Sequence, residues 1–343
     1  MANNMTAEQM MGYLYELPEQ FKNSLALDID LPEKYQRSYA NILVTGLGGS
    51  AIGGDILKDY AASKASLPIL VNRDYNIPAF VGPDTLFFAV SYSGNTEETL
   101  SAYQEAVKKG AVIICITSGG KLAELANQDG NYVIKVPGGL VPRAATGYLF
   151  APLALAVEKL GFISGIGAEL EETVEVLQDI RARINPNLDR AENQAKLIAA
   201  QLQGSLPIVW GASGLSETAA LRWKAQLNEN AKCMAYYNVF PELNHNEIVG
   251  FEMPEEMVAN ISVIILKDQF DNEKIKKRMT VTTDIIKDKV KNVIEVNSEG
   301  KSFLARFYSL TYIGDYASVY LALDYGINPT PVEVIDYLKE QLA

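Results

Sequence analysis

The sequence predicts an α/β protein built from parallel sheets that helices cover on both faces. Short apolar runs of strand type alternate with helical segments along most of the chain, and a strand, a glycine-serine turn and a helix follow one another twice. Parallel strands need a long crossover connection, usually a helix, so this alternation favours parallel sheets. Sheets of this kind bind ligands at the carboxyl ends of their strands.

Five strands and three helices are predicted in the first half. The strand candidates are the apolar runs at 41–46, 67–72, 85–91, 111–117 and 131–136. A helix that includes residues 6–15 precedes them, and residues 52–62 form a second helix after a glycine-rich turn. The third helix opens with Asn95 and Glu98 at the spacing of a capping box and ends near Lys109.

The second half repeats this pattern after a helix-rich stretch. Residues 144–202 are predicted to be mainly helical, with Asn185-Pro186-Asn187 as a break. The segment 206–229 then repeats the strand, turn and helix of 42–60, and the apolar run at 260–268 corresponds to the third strand of the first half. We therefore expect two related domains, residues 1–160 and 161–343, of which only the first carries a serine-rich phosphate turn.

Length and composition indicate a soluble globular protein of about two domains. The chain has 343 residues, 48% of them hydrophobic, and no apolar run approaches the roughly 18 to 20 residues that span a bilayer. Its amino terminus lacks the basic start and the apolar core of a secretory signal. Cys115 and Cys233 are too few for a disulfide framework or a metal site, so we expect a cytoplasmic protein without a bound metal.

The charge of the chain limits its partners. Lys and Arg total 30 against 42 Asp and Glu, giving a net charge of −12, and no basic stripe with interleaved aromatic residues occurs. Neither nucleic acid nor a membrane is therefore an expected partner. An anionic ligand would have to be attracted by local donors, such as helix amino termini and a few placed cations.

Two glycine- and serine-containing turns of the first half are candidates for such an anion site. SYSGNTEET at 91–99 and GLGGSAIGGD at 46–55 each lie between a predicted strand and a predicted helix. Taken alone, a glycine-rich turn of this kind is often only a tight turn. GLGGSAIGGD also lacks the third glycine of a dinucleotide fingerprint, so no nicotinamide site is expected. Two hydroxyl-bearing turns in one sheet instead favour an oxyanion site.

His245 is the only histidine of the chain. A lone histidine is usually a surface or structural residue. Here the neighbours Asn244, Asn246 and Glu247 could orient an imidazole for proton transfer, and without a second histidine a metal role is not expected.

Three further charged residues have both an ordinary and a functional interpretation. Glu229 lies near a predicted helix end, where its charge is mildly unfavourable against the helix dipole. Arg143 is an isolated cation in a loop, suited either to pairing or to neutralising an oxyanion. Lys339 belongs to an amphipathic terminal helix and has the pattern of a surface lysine.

Six segments together resemble the bifunctional phosphoglucose/phosphomannose isomerase family. They are GLGGSAIGGD, SYSGNTEET, GGLVPRAA, KAQLNENAK, ELNHNEIVGF and PTPVEVIDYLK, in this order and over nearly the whole chain. SGNTEET marks the broad phosphosugar-binding superfamily of sugar isomerase (SIS) domains. NEN followed by a histidine, with Glu229 and His245 separated by 16 positions, points to this branch. The resemblance implies two SIS domains, each a parallel sheet between layers of helices.

The resemblance also implies a role for each candidate residue. The sugar phosphate is expected to be held by Gly49, Ser50, Ser91, Ser93 and Thr96. Glu229 matches the catalytic base, and His245 the group that helps to open the sugar ring. Lys339 matches a lysine near the ring oxygen, and Arg143 the cation that stabilises the enediolate.

The implied activity is the cofactor-free interconversion of glucose 6-phosphate, and of mannose 6-phosphate, with fructose 6-phosphate in glycolysis and gluconeogenesis. The implied assembly is a homodimer in which His245 acts in the site of the neighbouring subunit. Two alternatives stay open. One is a phosphosugar-binding regulatory module without chemistry, although a basic DNA-binding segment is lacking. The other is a different phosphosugar or aminosugar-phosphate isomerase; an amino-terminal cysteine nucleophile, as a synthase needs, is lacking too.

Overall fold

The computed structural model describes residues 6–342, which form nine strands and thirteen α-helices. The strands are β1 Asn41–Thr45, β2 Ile69–Asn72, β3 Thr85–Val90, β4 Val112–Thr117, β5 Tyr132–Lys135, β6 Leu206–Ala212, β7 Tyr236–Phe240, β8 Ile261–Lys267 and β9 Asn292–Asn297. The helices are α1 Ala7–Tyr15, α2 Leu17–Leu25, α3 Gly49–Ala61, α4 Glu97–Lys108, α5 Gly120–Gln128, α6 Thr146–Lys159, α7 Ile166–Arg183, α8 Gln194–Leu202, α9 Leu215–Glu229, α10 Glu255–Val258, α11 Glu273–Ile286, α12 Phe303–Asp324 and α13 Glu333–Leu342. Within these residues no helix is both long and apolar enough to cross a membrane.

The strands form two parallel sheets, which confirms the predicted fold class. The first sheet has the order β2-β1-β3-β4-β5 and the second the order β7-β6-β8-β9. Every strand pair in both sheets is parallel. In each sheet the second strand along the chain pairs on one side of the first strand, and the third strand pairs on its other side. The strand order therefore reverses beside β1 and again beside β6, and β8 has the place in its sheet that β3 has in the other.

The chain divides into two compact units, each with one sheet. One unit comprises Glu16–Glu175 with Ser302–Leu304, and the other comprises the described residues before Glu16, Val176–Lys301 and the described residues from Ala305 onward. Helix α1 thus belongs to the unit of the second sheet, where the Tyr312 hydroxyl donates to the carbonyl of Leu14 at 2.9 Å. The predicted domain ranges 1–160 and 161–343 stay predictions.

Each sheet is covered by apolar side chains of its own helices. In the first unit, α4 and α5 pack against one face of the sheet, where Leu43, Phe87 and Cys115 lie fully buried. Helix α3 connects β1 to β2, in the opposite direction across the sheet from α4 and α5. Because crossovers between parallel strands are right-handed, α3 lies on the other face. Burial also raises the pKa of the Cys115 thiol, which keeps this side chain neutral within the apolar core. In the second unit, Trp210 and Val263 are part of an equivalent cluster.

The predicted capping box at the start of α4 is wrong. The residue before the helix is Thr96, and no side-chain cap hydrogen bond forms there. The Asn95 Oδ1 atom accepts a hydrogen bond from the backbone N–H of Lys121 at 3.0 Å, at the start of α5. A partner 26 positions away in sequence therefore takes the side chain that local spacing assigned to the helix cap.

Helix α12 packs closely against Trp223 of α9 at Gly314. A β-carbon at this position would lie 2.3 Å from an atom of the Trp223 indole, whose Nε1 donates to the carbonyl of Leu310 at 2.9 Å. We expect Gly314→Ala to lower the free energy of unfolding by about 1 to 3 kcal/mol, because the indole has to move within a closely packed core. Urea denaturation measures the difference.

Gly12→Ala is the matched control for this substitution. Gly12 lies within α1, and no atom lies within 4 Å of the position of its missing β-carbon. Alanine there should raise the free energy of unfolding by up to about 1 kcal/mol through helix propensity alone. An equal increase in the free energy of unfolding for both variants would show that the packing of α9 against α12 does not require glycine at position 314.

Candidate functional site

Both hydroxyl-bearing turns of the first unit follow neighbouring strands. The turn after β1 leads into α3 at Gly49, and the turn after β3 leads into α4 at Glu97. Because β1 and β3 are paired, the amino termini of the two helices lie at the same carboxyl edge, where the strand order reverses. A switch point of this kind is the usual ligand position of an open parallel sheet. Unpaired backbone N–H groups and helix dipoles favour an anion there.

The turn after β3 is held in a single conformation by its own hydroxyl groups. The Ser91 Oγ atom accepts a hydrogen bond from the N–H of Gly94 at 3.1 Å and lies 2.9 Å from the Thr96 Oγ1 atom. Ser93 is exposed, and its hydroxyl accepts from the N–H of Asn95 at 3.2 Å. Gly94 has a φ of +70°, which side-chain-bearing residues rarely adopt.

The structure joins the two turns and brings Arg143 to them. The Ser50 hydroxyl accepts a hydrogen bond from the N–H of Tyr92 at 3.3 Å, which ties the first turn to the second. Arg143 lies buried in the 3₁₀ turn Pro142–Ala144, and its Cα is 3.2 Å from where Gly49 would carry a β-carbon. All the predicted phosphate-binding residues therefore lie in one cluster of this unit, with Arg143 beside them.

Tyr92 is a residue of this cluster that the sequence did not single out. Its side chain is buried, and its hydroxyl donates to the carbonyl of Pro137 at 2.9 Å and accepts from the N–H of Leu140 at 3.0 Å. These two bonds fix the loop that leads to Arg143. The available signal was an aromatic residue between two turn serines, which suggests a side chain directed into the protein.

Glu229 and His245 lie at opposite edges of the second sheet. Helix α9 joins the parallel strands β6 and β7, so it returns the chain from the carboxyl edge to the amino edge, and Glu229 is its last residue. His245 follows β7 and lies beyond the carboxyl edge. A helix of 15 residues spans about 22 Å, so the unit does not bring the two side chains together.

The polar neighbours of His245 hold its segment rather than its imidazole, so the expected orienting role is wrong. Each of them bonds to a surrounding group. The bonds run from Asn244 Nδ2 to Thr282 Oγ1 at 2.9 Å, from Asn246 Nδ2 to Glu242 Oε1 at 3.0 Å and from Trp210 Nε1 to Glu247 Oε1 at 2.7 Å. The imidazole itself is exposed, and no hydrogen bond reaches it from the described part of the chain. The histidine is thus presented outward on a fixed segment.

Lys339 lies on the exposed helix α13. Its ammonium has no hydrogen bond or ion pair among residues 6–342. Among the same residues, no group of three His, Cys, Asp or Glu side chains is arranged to hold a metal ion. The structure therefore adds no contact in support of the role predicted for Lys339.

The parallel sheets and the serine turn define a protein of SIS-domain class. Residues 37–138 match the SIS domain model, and residues 191–342 match the bacterial phospho-glucose isomerase C-terminal SIS domain model. The fold also resembles the C-terminal domain of glucosamine-fructose-6-phosphate aminotransferase from Francisella tularensis, with a TM-score of 0.71 at 18% identity over 94% of this chain and 98% of that one.

Full-length relatives narrow this class to one family. The chain is 48% identical to a bifunctional phosphoglucose/phosphomannose isomerase from Caldicellulosiruptor bescii, over 97% of this chain and 99% of that protein. It is also 30% identical to a D-glucosamine-6-phosphate 4-epimerase from Sulfolobus acidocaldarius, over 96% of this chain and 97% of that protein. The chain belongs to the bifunctional phosphoglucose/phosphomannose isomerase family, as its six segments predicted.

The contacts of Tyr92 lead to a test of the cluster. We expect Tyr92→Phe to lower the free energy of unfolding by roughly 1 to 2 kcal/mol, because the amide of Leu140 loses its partner. Hydrogen exchange followed by mass spectrometry should show faster exchange in the peptide that contains Leu140. Tyr75→Phe, which removes an exposed hydroxyl, should change stability by less than about 0.5 kcal/mol. Unchanged exchange at Leu140 would contradict the anchoring role of Tyr92.

Proposed function

We propose that this protein is an aldose-ketose isomerase that interconverts glucose 6-phosphate and mannose 6-phosphate with fructose 6-phosphate through a cis-enediolate. The observation that carries the proposal is the joined pair of hydroxyl-bearing turns at the switch point of the first sheet, in a chain of this family. The turns offer donors to one phosphate group. The chemistry requires only side chains of the chain itself, so neither metal nor organic cofactor is assigned to it.

The phosphate is assigned to the donors of the two turns. The assigned residues are Gly49, Ser50, Ser91, Ser93 and Thr96. The net charge of −12 repels a phosphosugar at long range, so the backbone N–H groups and dipoles at the starts of α3 and α4 must supply the attraction locally. Binding energy from this remote group then orients the carbons that react.

The proton transfer is assigned to Glu229. Its carboxylate takes the proton from C2 of the open-chain aldose and returns it to C1 of the enediolate, while the hydroxyl proton passes from O2 to O1, so that the C1 aldehyde becomes an alcohol and C2 a ketone. Negative charge develops on the substrate oxygens in between, and the Arg143 guanidinium stabilises it. Ring opening needs a separate acid or base, for which His245 and Lys339 are assigned.

The proposed enzyme is a homodimer in which His245 serves the site of the neighbouring subunit. This arrangement is supported by the opposite positions of Glu229 and His245 within one unit. It is also supported by exposed apolar residues that follow the histidine in sequence: Val249, Met253 and Met257 are 62%, 72% and 66% exposed. Apolar groups grouped in this way are typical of a protein interface.

The cytoplasm is the proposed location, with a role in glycolysis and gluconeogenesis. Cys115 and Cys233 are both free thiols, which suits a reducing compartment. Fructose 6-phosphate and glucose 6-phosphate are the substrates that such a role would require.

The reaction is tested with purified protein in the presence of EDTA. Glucose 6-phosphate and mannose 6-phosphate should each yield fructose 6-phosphate, while glucosamine 6-phosphate, included because of the epimerase relative, should remain unchanged. Glu229→Gln should lower kcat by about 10² to 10⁴-fold, because the amide cannot accept the proton, and should retain phosphosugar binding. Glu217→Gln, on the first turn of the same helix, is the control. A Glu229→Gln enzyme as fast as the parent would overturn the assignment.

The shared site is tested by mixing two inactive variants. A hybrid of one His245→Ala and one Glu229→Gln subunit has one intact site if the histidine acts on the neighbour. Because half of the dimers in an equal random mixture are hybrids, activity should recover to about one quarter of that of the parent. Native mass spectrometry measures the hybrid fraction. Hybrids that form without any recovery would place His245 in the site of its own chain.

A further inference from the structure

Helix α9 ends at the residue to which the proton transfer is assigned. The last carbonyl groups of a helix have no partner within the helix, so the direction of its final side chains depends on what holds that end. At the end of α4, for example, the backbone N–H of Lys109 donates to the carbonyls of Glu105 and Val107. At the end of α9, in contrast, side chains from distant parts of the sequence take part.

One face of α9 is hydrogen-bonded to α12 at three successive turns. Arg222 and Gln226 both donate to the carboxylate of Asp315, at 2.7 and 2.9 Å. One turn later, the Nδ2 atom of Asn230 donates to the Ser318 hydroxyl at 2.9 Å, and this hydroxyl donates to the carbonyl of Asp315 at 2.7 Å. Apolar contacts tolerate small sliding of one helix along another, whereas these bonds set the rotation and the register of α9.

The chain around Glu229 is held on both sides. Asn228 donates from its Nδ2 atom to the carbonyl of Cys233 at 2.8 Å, and Lys232 donates from Nζ to the carbonyl of Glu229 itself. Lys232 also donates to the carbonyl of Pro329 at 3.1 Å. Its φ of +52° is the only positive value of a non-glycine residue within the described chain, a conformation that is retained only where other contacts stabilise it.

We propose that Asn230, Ser318 and Lys232 are positioning residues, which direct the Glu229 carboxylate at the substrate through the hydrogen bond between Asn230 and Ser318 and the bond from Lys232 to the Glu229 carbonyl. The side chains of Asn230 and Ser318 are fully buried, and Asn230 follows Glu229 directly, so a shift of this residue turns the carboxylate. The inference rests on the proposed role of Glu229 as the base. A displacement of about 1 Å at a reacting group can lower a rate by about 100-fold.

The test compares Ser318→Ala with Ser309→Ala. Both serines lie fully buried on α12, and each donates to the carbonyl three residues earlier at 2.7 Å. Ser318 accepts from Asn230, whereas Ser309 accepts from the N–H of Glu299 at 2.8 Å. Ser318→Ala should lower kcat by about 10- to 100-fold with little change in KM for fructose 6-phosphate. Ser309→Ala should lose similar stability without this loss of kcat.

A double-variant cycle separates this inference from the assignment of Glu229. If Ser318 acts through the carboxylate, Ser318→Ala should cause no further loss of kcat in a Glu229→Gln enzyme. A fully active Glu229→Gln enzyme would refute the base itself. An inactive Glu229→Gln enzyme together with equal kcat for the two serine variants would refute only the positioning role.

A second substitution keeps the inference testable if Ser318→Ala fails to fold. Lys232→Gly removes the ammonium from the Glu229 carbonyl, and glycine adopts the positive φ without strain. It should lower kcat by about 10-fold at unchanged KM. An unchanged kcat for this variant would refute the idea that the end of α9 is held for the reaction.

Discussion

Parallel pairing is the constraint on which the placement of every functional group depends. Two parallel strands can be joined only by a segment that carries the chain back across the sheet, so residues after a strand lie at the carboxyl edge and residues after a crossover helix lie at the amino edge. The serine turn and His245 follow strands, and Glu229 follows a helix. Short motifs of this chain therefore acquire their positions from the element that precedes them.

Burying the polar contact between α9 and α12 costs desolvation free energy. The contact therefore contributes a defined orientation of α9 rather than stability. Burial raises the pKa of the Asp315 carboxyl, while the guanidinium of Arg222 opposes this shift. An apolar pair of similar volume is often at least as stable as such a buried ion pair. It would not, however, select one rotation of α9 about its axis. That rotation decides where Glu229 points, and the close approach at Gly314 leaves α9 little room to adopt another.

The strands of the first sheet, together with β6 and β8, were predictable because apolar periodicity reflects burial against a sheet, which is a property of local sequence. The sequence did not single out β7, β9 or the long helix α12. The family was predictable because its motifs lie within short segments. Long-range partners were not predictable. Asn230 donates to a serine 88 positions away, and Asn95 accepts a hydrogen bond at the start of α5 instead of capping α4. Tyr92 was missed for the same reason, since its hydroxyl reaches a loop 45 positions later.

The pair Glu229 and His245 shows how sequence proximity can mislead about spatial proximity. Their separation of 16 positions suggests that the two side chains lie close together. The chain between them, however, runs along β7 from the amino edge of the sheet to its carboxyl edge. The homodimer proposed above would supply the imidazole from the neighbouring subunit, so that this separation within one unit is no obstacle to a joint role. The outward presentation of His245, on a segment held by Trp210 and followed in sequence by exposed apolar residues, agrees with that proposal.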